Sequence, residues 1–265
     1  MPVIWGRRVV TEALRSGRTV RRVYLGGRAG PESPLAEIER LARRDHVPVQ
    51  VLDRRALDRI ANTDRHQNVA AEVLEYKYAE VDDLLGLAQE RGERPLLLAL
   101  DQVQDPQNLG SLIRTAEAVG AHGLILPRHR AVGVTPAVEK ASAGAIEHLK
   151  VAEVPNLNRL ADDLKRQGVW IVGVDADGDA ELDGFDATMP LCLVVGSEGR
   201  GISRLLREKC DVLVRLPMRG EVASLNAAVA GSIVLYDVFR RRSREENRGP
   251  EVVTSGPRIY TAPSP

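Results

Sequence analysis

Residues 96–120 read Leu96-Leu-Leu-Ala-Leu-Asp-Gln-Val-Gln-Asp105-Pro-Gln-Asn-Leu-Gly110-Ser-Leu-Ile-Arg114-Thr-Ala-Glu-Ala-Val-Gly120. Five consecutive apolar residues make a strand buried on both faces. After Asp105-Pro106, the residues Leu109, Leu112, Ile113, Ala116 and Val119 fall on one stripe of a helix, which Gly120 stops. A wholly apolar strand feeding an amphipathic helix is the repeating unit of a parallel sheet covered by helices. The unit recurs downstream, with strands predicted at 123–127, 169–174, 191–195 and 212–216. Helices are predicted at 136–141, 157–167, 203–209 and 224–241, the last opened by Ser224 as N-cap. The fold class expected is therefore α/β.

Upstream of this unit the pattern is smaller in scale. Residues 1–75 read as a separate α/β domain, with strands at 20–25, 47–52 and 69–74 and helices at 34–44 and 53–60. Residues 76–94 are charged, carry one helix at 81–89, and suit a connector. Residues 95–242 form the large domain. Residues 243–265, rich in Pro, Gly, Ser, Arg and Glu, read as a flexible tail.

The 265 residues carry 37 basic and 37 acidic side chains, but unevenly. Residues 1–65 hold 14 basic against 8 acidic, whereas residues 66–200 hold 12 against 22. Arginine supplies 32 of the 37 cations, and its planar fork suits phosphate. A basic first domain points to a polyanion, while an arginine-rich surface alone would look the same. No uninterrupted apolar run is longer than Leu96–Leu100, far short of a membrane span. Two cysteines, Cys192 and Cys210, show no metal-binding or disulfide spacing, so no metal is expected and a cytoplasmic location fits.

Three loops at strand ends carry polar residues that the core does not need. In the first, Arg114 faces away from the apolar stripe, over Gly110 one turn earlier, which leaves a bare patch near a helix N-terminus. The second is Gly196-Ser-Glu198-Gly-Arg-Gly201, glycine-rich yet neither a dinucleotide fingerprint nor a Walker loop. In the third, running from Pro217 to Asn226, the amide of Asn226 falls two residues inside an apolar helix start and must find a partner. Each loop on its own also reads as an ordinary connection.

Together they do not. Asn108-x-Gly110-x-x-x-Arg114-x-Ala116, Gly196-x-Glu198-x-x-Gly201 and Pro217-Met218-x-Gly220-x-x-x-Ser224-Leu225-Asn226 resemble, in order and spacing, the three motifs of the SpoU (TrmH-like) family of RNA ribose 2′-O-methyltransferases. The first domain, through Ile4-Trp5-Gly6-Arg7-x-x-Val10-x-Glu12-Ala13-Leu14 and His66-Gln67-Asn68-Val69, resembles the ribosomal-protein-L30-like RNA-binding domain fused to many members. Within the family the combination looks most like the bacterial enzymes that methylate a guanosine of 23S ribosomal RNA.

The resemblance implies a trefoil-knotted parallel-sheet domain that binds S-adenosylmethionine against Gly196, Leu216, Met218 and Leu225. It also implies a homodimer whose site draws on both subunits, with Leu225, Ala228, Val229, Ile233, Val234 and Leu235 of the last helix suited to the interface. Arg114 would be catalytic, and Asn108, Glu198, Ser224 and Asn226 would position it, the ribose and its phosphate. No histidine lies in any motif, which disfavours a histidine base. A guanidinium is normally charged, so Arg114 acts either as a base assisted by a substrate phosphate or as a stabiliser of the developing alkoxide. A tRNA guanosine specificity, an antibiotic-resistance rRNA methyltransferase and a non-catalytic ribosome-assembly protein remain open.

Overall fold

The computed structural model describes residues 1–27, 30, 32–221 and 224–248. Two sheets are present. The first comprises β1 (Val3–Trp5), β2 (Val20–Leu25), β3 (Val49–Val51) and β4 (Val69–Val73), in the order β1-β4-β2-β3. β2 and β3 are parallel, and β4 runs antiparallel to both β1 and β2. α1 (Arg7–Arg15) and α2 (Ala36–Arg44) bury Val9, Val10, Ile38 and Leu41 on one face of this sheet. α3 (Arg54–Ala61) covers the other face with Leu57 and Ala61, and Asp53 caps it by accepting from the Ala56 amide at 2.8 Å. β1 and α1 are additions to the elements that periodicity predicts here.

The second sheet is wholly parallel. It comprises β5 (Leu96–Leu100), β6 (Gly123–Pro127), β7 (Val151–Val154), β8 (Trp170–Val174), β9 (Leu191–Val195) and β10 (Val212–Val214), in the order β10-β8-β9-β5-β6-β7. Alternation along β5 decides its two faces. Leu96, Leu98 and Leu100 join the core under α5 (Pro106–Ala118), α6 (Pro136–Ser142) and α9 (Ala227–Arg248). Leu97 and Ala99 join the opposite core, under α4 (Val81–Arg91), α7 (Leu157–Arg166) and α8 (Arg204–Arg207). From β5 the chain steps outward to β6 and β7, while β8, β9 and β10 lie on the other side. Strand order therefore reverses between β5 and β9, where open parallel sheets bind ligands at their carboxyl ends.

Three expectations change. The segment read as a connector is built into the large sheet: Leu84 of α4 is fully buried beneath Gly123, and Ala79 bridges to Ala152 beside β7. α9 begins at Ala227, so Ser224 does not cap it. Asn226 does, accepting from the amides of Ala228 and Val229 at 2.9 and 3.1 Å. α9 also continues to Arg248, into the stretch expected as tail; the rest of that stretch, 249–265, lies outside the described residues.

A buried ion cluster joins the two sheets' domains. Arg18, after α1, donates through Nη1 to Glu139 at 2.8 Å and to Glu147 at 2.7 Å, and through Nη2 to the Leu74 carbonyl at 3.0 Å. Burial pushes the Glu139 carboxyl above its usual range, and Arg18 opposes the shift. Glu12 of α1 adds a contact to His148 at 3.0 Å.

Candidate active site

Asp101, directly after β5, ties the switch point together. Its amide donates to the Val195 carbonyl at 2.8 Å and its carboxylate accepts from the Ser203 amide at 2.7 Å. Between those anchors, residues 196–202 fold back on themselves, with Ser197 and Gly201 exchanging amide–carbonyl bonds at 3.1 and 2.9 Å. A methyl on Gly196 would overlap the backbone of Gly201, so this turn admits glycine alone there.

The turn walls a cavity of about 550 Å³ at the carboxyl ends of β8, β9 and β10. Gly196, Leu216, Met218 and Leu225, the four residues expected to hold a cofactor, all line it, and so does Ser224. Apolar walls beside turned backbone suit an adenine face with its edge read by main-chain groups. Two further lining residues escaped the sequence reading: Asp175 and Asp177, just past β8. Asp175 accepts from the Asp177 amide at 2.9 Å and pairs with Arg207 at 3.2 Å. An acidic residue directly following a buried strand was the available signal.

Beside the cavity, three expected polar residues form one cluster. The Asn108 amide donates to Glu198 Oε1 at 2.9 Å, and the Asn226 amide donates to Asn108 Oδ1 at 3.0 Å and also to Glu198 Oε1. Asn226 thus uses its oxygen to cap α9 and its nitrogen to fix two motif residues. Asn108 is buried and placed by α5, whose start Asp105 caps through the Gln107 amide at 3.1 Å.

Arg114 stands apart from these. It is exposed on α5, six residues and roughly 9 Å along the helix axis from Asn108. It makes no hydrogen bond or ion pair among the described residues. The bare patch expected over Gly110 is filled, because α6 packs there so closely that a methyl on Gly110 would lie 2.8 Å from the Ser142 amide nitrogen. Arg114 instead lines a cleft of about 800 Å³ with Ser111, Arg8, Glu12, His148 and Tyr236, between the two domains.

Next to that cleft, α5 and α9 form a groove of about 760 Å³. On α9, Val229, Ile233 and Tyr236 are 47%, 40% and 59% exposed at helical spacing, an apolar stripe without a partner. Ala228, Val234 and Leu235, expected at an interface, are buried in the subunit's own core. One histidine, His122, is structural. Buried His122 accepts from the Leu96 amide at 3.0 Å and meets Glu93 at 3.0 Å, and burial lowers its pKa. Among the described residues no group of three His, Cys, Asp or Glu is placed to hold a metal, and no helix is long and apolar enough to cross a membrane.

Comparison with known proteins places both domains. Residues 95–236 match the SpoU rRNA methylase family, and residues 3–79 match the RNA 2′-O ribose methyltransferase substrate-binding family. A putative TrmH family tRNA/rRNA methyltransferase, YacO of Bacillus subtilis, is 46% identical over 90% of this chain and 95% of its own length. A putative TrmH family tRNA/rRNA methyltransferase of Staphylococcus saprophyticus is 42% identical over 91% and 96%. Among solved structures, the SpoU methyltransferase AviRb of Streptomyces viridochromogenes in complex with the cofactor AdoMet superposes with a TM-score of 0.77 at 29% identity. That superposition covers 91% of this chain and 90% of that one. With both domains matched, the chain belongs to the SpoU/TrmH family, as an S-adenosylmethionine-dependent RNA methyltransferase.

Proposed function

We propose that the protein methylates the 2′-hydroxyl of a guanosine ribose in 23S ribosomal RNA, acting as a homodimer with a composite site. The observation that carries this reading is the separation of Arg114 from the cofactor cavity. Within one chain it faces a different cleft, next to an uncovered apolar stripe on α9. Pairing that stripe with its copy about a two-fold axis brings Arg114 of one subunit towards the cavity of the other. The trefoil knot expected of the fold accounts for one cavity being walled both by the turn after β9 and by residues 216, 218, 224 and 225.

S-adenosylmethionine supplies an electrophilic methyl group on a positively charged sulfur. The residues of this chain do the rest. Gly196, Leu216, Met218 and Leu225 hold the cofactor, and Ser224 and the Asn108–Glu198–Asn226 cluster fix the acceptor ribose. Arg114, charged, would stabilise the alkoxide that develops as the 2′-hydroxyl passes its proton to solvent and its oxygen bonds to the methyl carbon, displacing the neutral thioether. The lasting charge of a guanidinium favours this role over that of a base. The first domain, with its excess of arginine, binds the RNA backbone.

The test is transfer of labelled methyl groups to separated RNAs. Label in 23S rRNA, recovered as 2′-O-methylguanosine, is expected. Label confined to tRNA would move the target, and label that blocks an antibiotic's ribosomal site would make this a resistance enzyme. Absence of cofactor binding by calorimetry would leave an RNA-binding assembly protein.

A further inference from the structure

A second, polar cavity of about 440 Å³ adjoins the cofactor cavity at the carboxyl ends of β5 and β9. The two share a wall made by Ser197, Glu198, Arg200 and Ala227. On its far side lie Gln102 and Gln104, in the loop between β5 and α5. Gln102 is held there firmly. Its neighbours Asp101 and Val103 are buried, Asp101 through the two bonds already described and Val103 by accepting from the Val132 amide at 3.0 Å. Gln102 itself adopts a left-handed φ of +60°, a conformation a glutamine does not favour. Half-buried Gln102 nevertheless makes no side-chain hydrogen bond among the described residues, and neither does Arg200. One free amide and one free guanidinium therefore face a shared, mostly polar space. Two positions along the loop, Gln104 spends its amide only on a long 3.4 Å contact to the Arg130 carbonyl.

We propose that this cavity receives the nucleobase of the nucleotide being methylated, and that Arg200 and Gln102 select guanine. The inference rests on the reading of the chain as a ribose methyltransferase, since a base joined to the acceptor ribose must lie directly beside the cofactor cavity. A planar heterocycle rich in donors and acceptors matches a lining of amides, one guanidinium and the carboxylates of Asp105 and Glu198 better than an aliphatic or purely anionic ligand does. Arg200 offers two parallel N–H donors, the geometry that meets O6 and N7 of guanine. Gln102, carrying both a donor and an acceptor, meets a second edge. Entry requires the base to leave its stack, as for other enzymes that act on a single nucleotide.

The test gives full-length protein, with Gln102→Ala, Gln102→Asn and Arg200→Ala variants, labelled S-adenosylmethionine and unmethylated bacterial rRNA and tRNA. The digested nucleosides are then resolved. Wild type is expected to yield 2′-O-methylguanosine. Gln102→Ala and Arg200→Ala should each lose about tenfold or more in kcat/KM for RNA. Cofactor Kd, read by calorimetry on Gln102→Ala, should stay within about twofold because Gln102 does not line that cavity. Gln102→Asn keeps an amide and tolerates the backbone conformation, so it should fall between wild type and Gln102→Ala. Wild-type kcat/KM in Gln102→Ala, or a methylated pyrimidine as the wild-type product, would overturn the proposal. A wild-type protein that labels no RNA would overturn the methyltransferase reading and this pocket with it.

Discussion

Asn226 does two jobs that one substitution can separate. Aspartate caps helices as well as asparagine, so Asn226→Asp should keep α9 and the melting temperature. It removes the donor to Asn108 and sets a second carboxylate against Glu198, so methyl transfer should fall at least a hundredfold. Asn226→Ala should lose the cap as well, about 1 kcal/mol by urea unfolding. At Arg114, alanine should abolish transfer while cofactor binding by calorimetry stays unchanged, because Arg114 does not line the cavity of its own chain and in the proposed dimer meets the acceptor ribose. Lysine should fail too, since a point charge does not reproduce the planar fork. Activity within a few-fold of wild type in either variant would remove Arg114 from the chemistry. At this scale the sequence exposes residue type and spacing well, and the four residues expected to hold a cofactor all line one cavity. It does not reveal what fills a gap. Gly110 looks bare in the sequence, yet Ala141 and Ser142 of a later helix occupy that space. Ser224 and Asn226 are both good caps two residues apart, and local propensity has no means of choosing between them.

Elements with strong apolar patterns were legible, and two short strands were not. β5 and β9 are five-residue apolar runs, and α5 carries a full stripe, so each announces itself. β1 has three residues and β7 has four, and both exist because a neighbouring strand pairs with them. α4 looked like part of a connector because charge surrounds it, but two buried residues, Leu84 and Ala88, fasten it to the sheet. Leu84→Ala should therefore cost about 2–5 kcal/mol, read as a lower urea midpoint, with active-site residues untouched. His122, which sits under the start of β5, makes the stability of the large domain depend on pH. Burial holds its folded pKa below the ordinary imidazole value of about 6.5, so the unfolded chain binds the proton more readily. Stability from this group is then present above about pH 6.5 and is lost as pH falls below it. His122→Gln should flatten the melting-temperature profile between pH 7 and 5, and an unchanged slope would show that His122 is not the sensor.

The whole molecule depends on the surface between its domains and, in the proposed dimer, on one between copies, and neither can be read from local pattern. Arg18 lies 121 residues from Glu139 in sequence, yet its guanidinium satisfies that buried carboxylate. Arg18→Ala leaves Glu139 without its partner and should cost about 3–5 kcal/mol, with Glu139→Gln in the same chain restoring much of it. Sheet order is equally non-local: the reversal between β5 and β9 that positions every active-site loop follows from which strands pair, not from the character of any one strand. The central claim is that Arg114 of one subunit completes the cofactor cavity of the other. Mixing Arg114→Ala protein with Asn226→Asp protein, followed by subunit exchange, tests it directly. Each heterodimer then contains one composite site with both residues intact. Methyl transfer should recover from background to about a quarter of the wild-type rate per chain at equal, random mixing. If heterodimers form and activity stays at background, Arg114 and Asn226 must act from the same chain, and the composite site is contradicted.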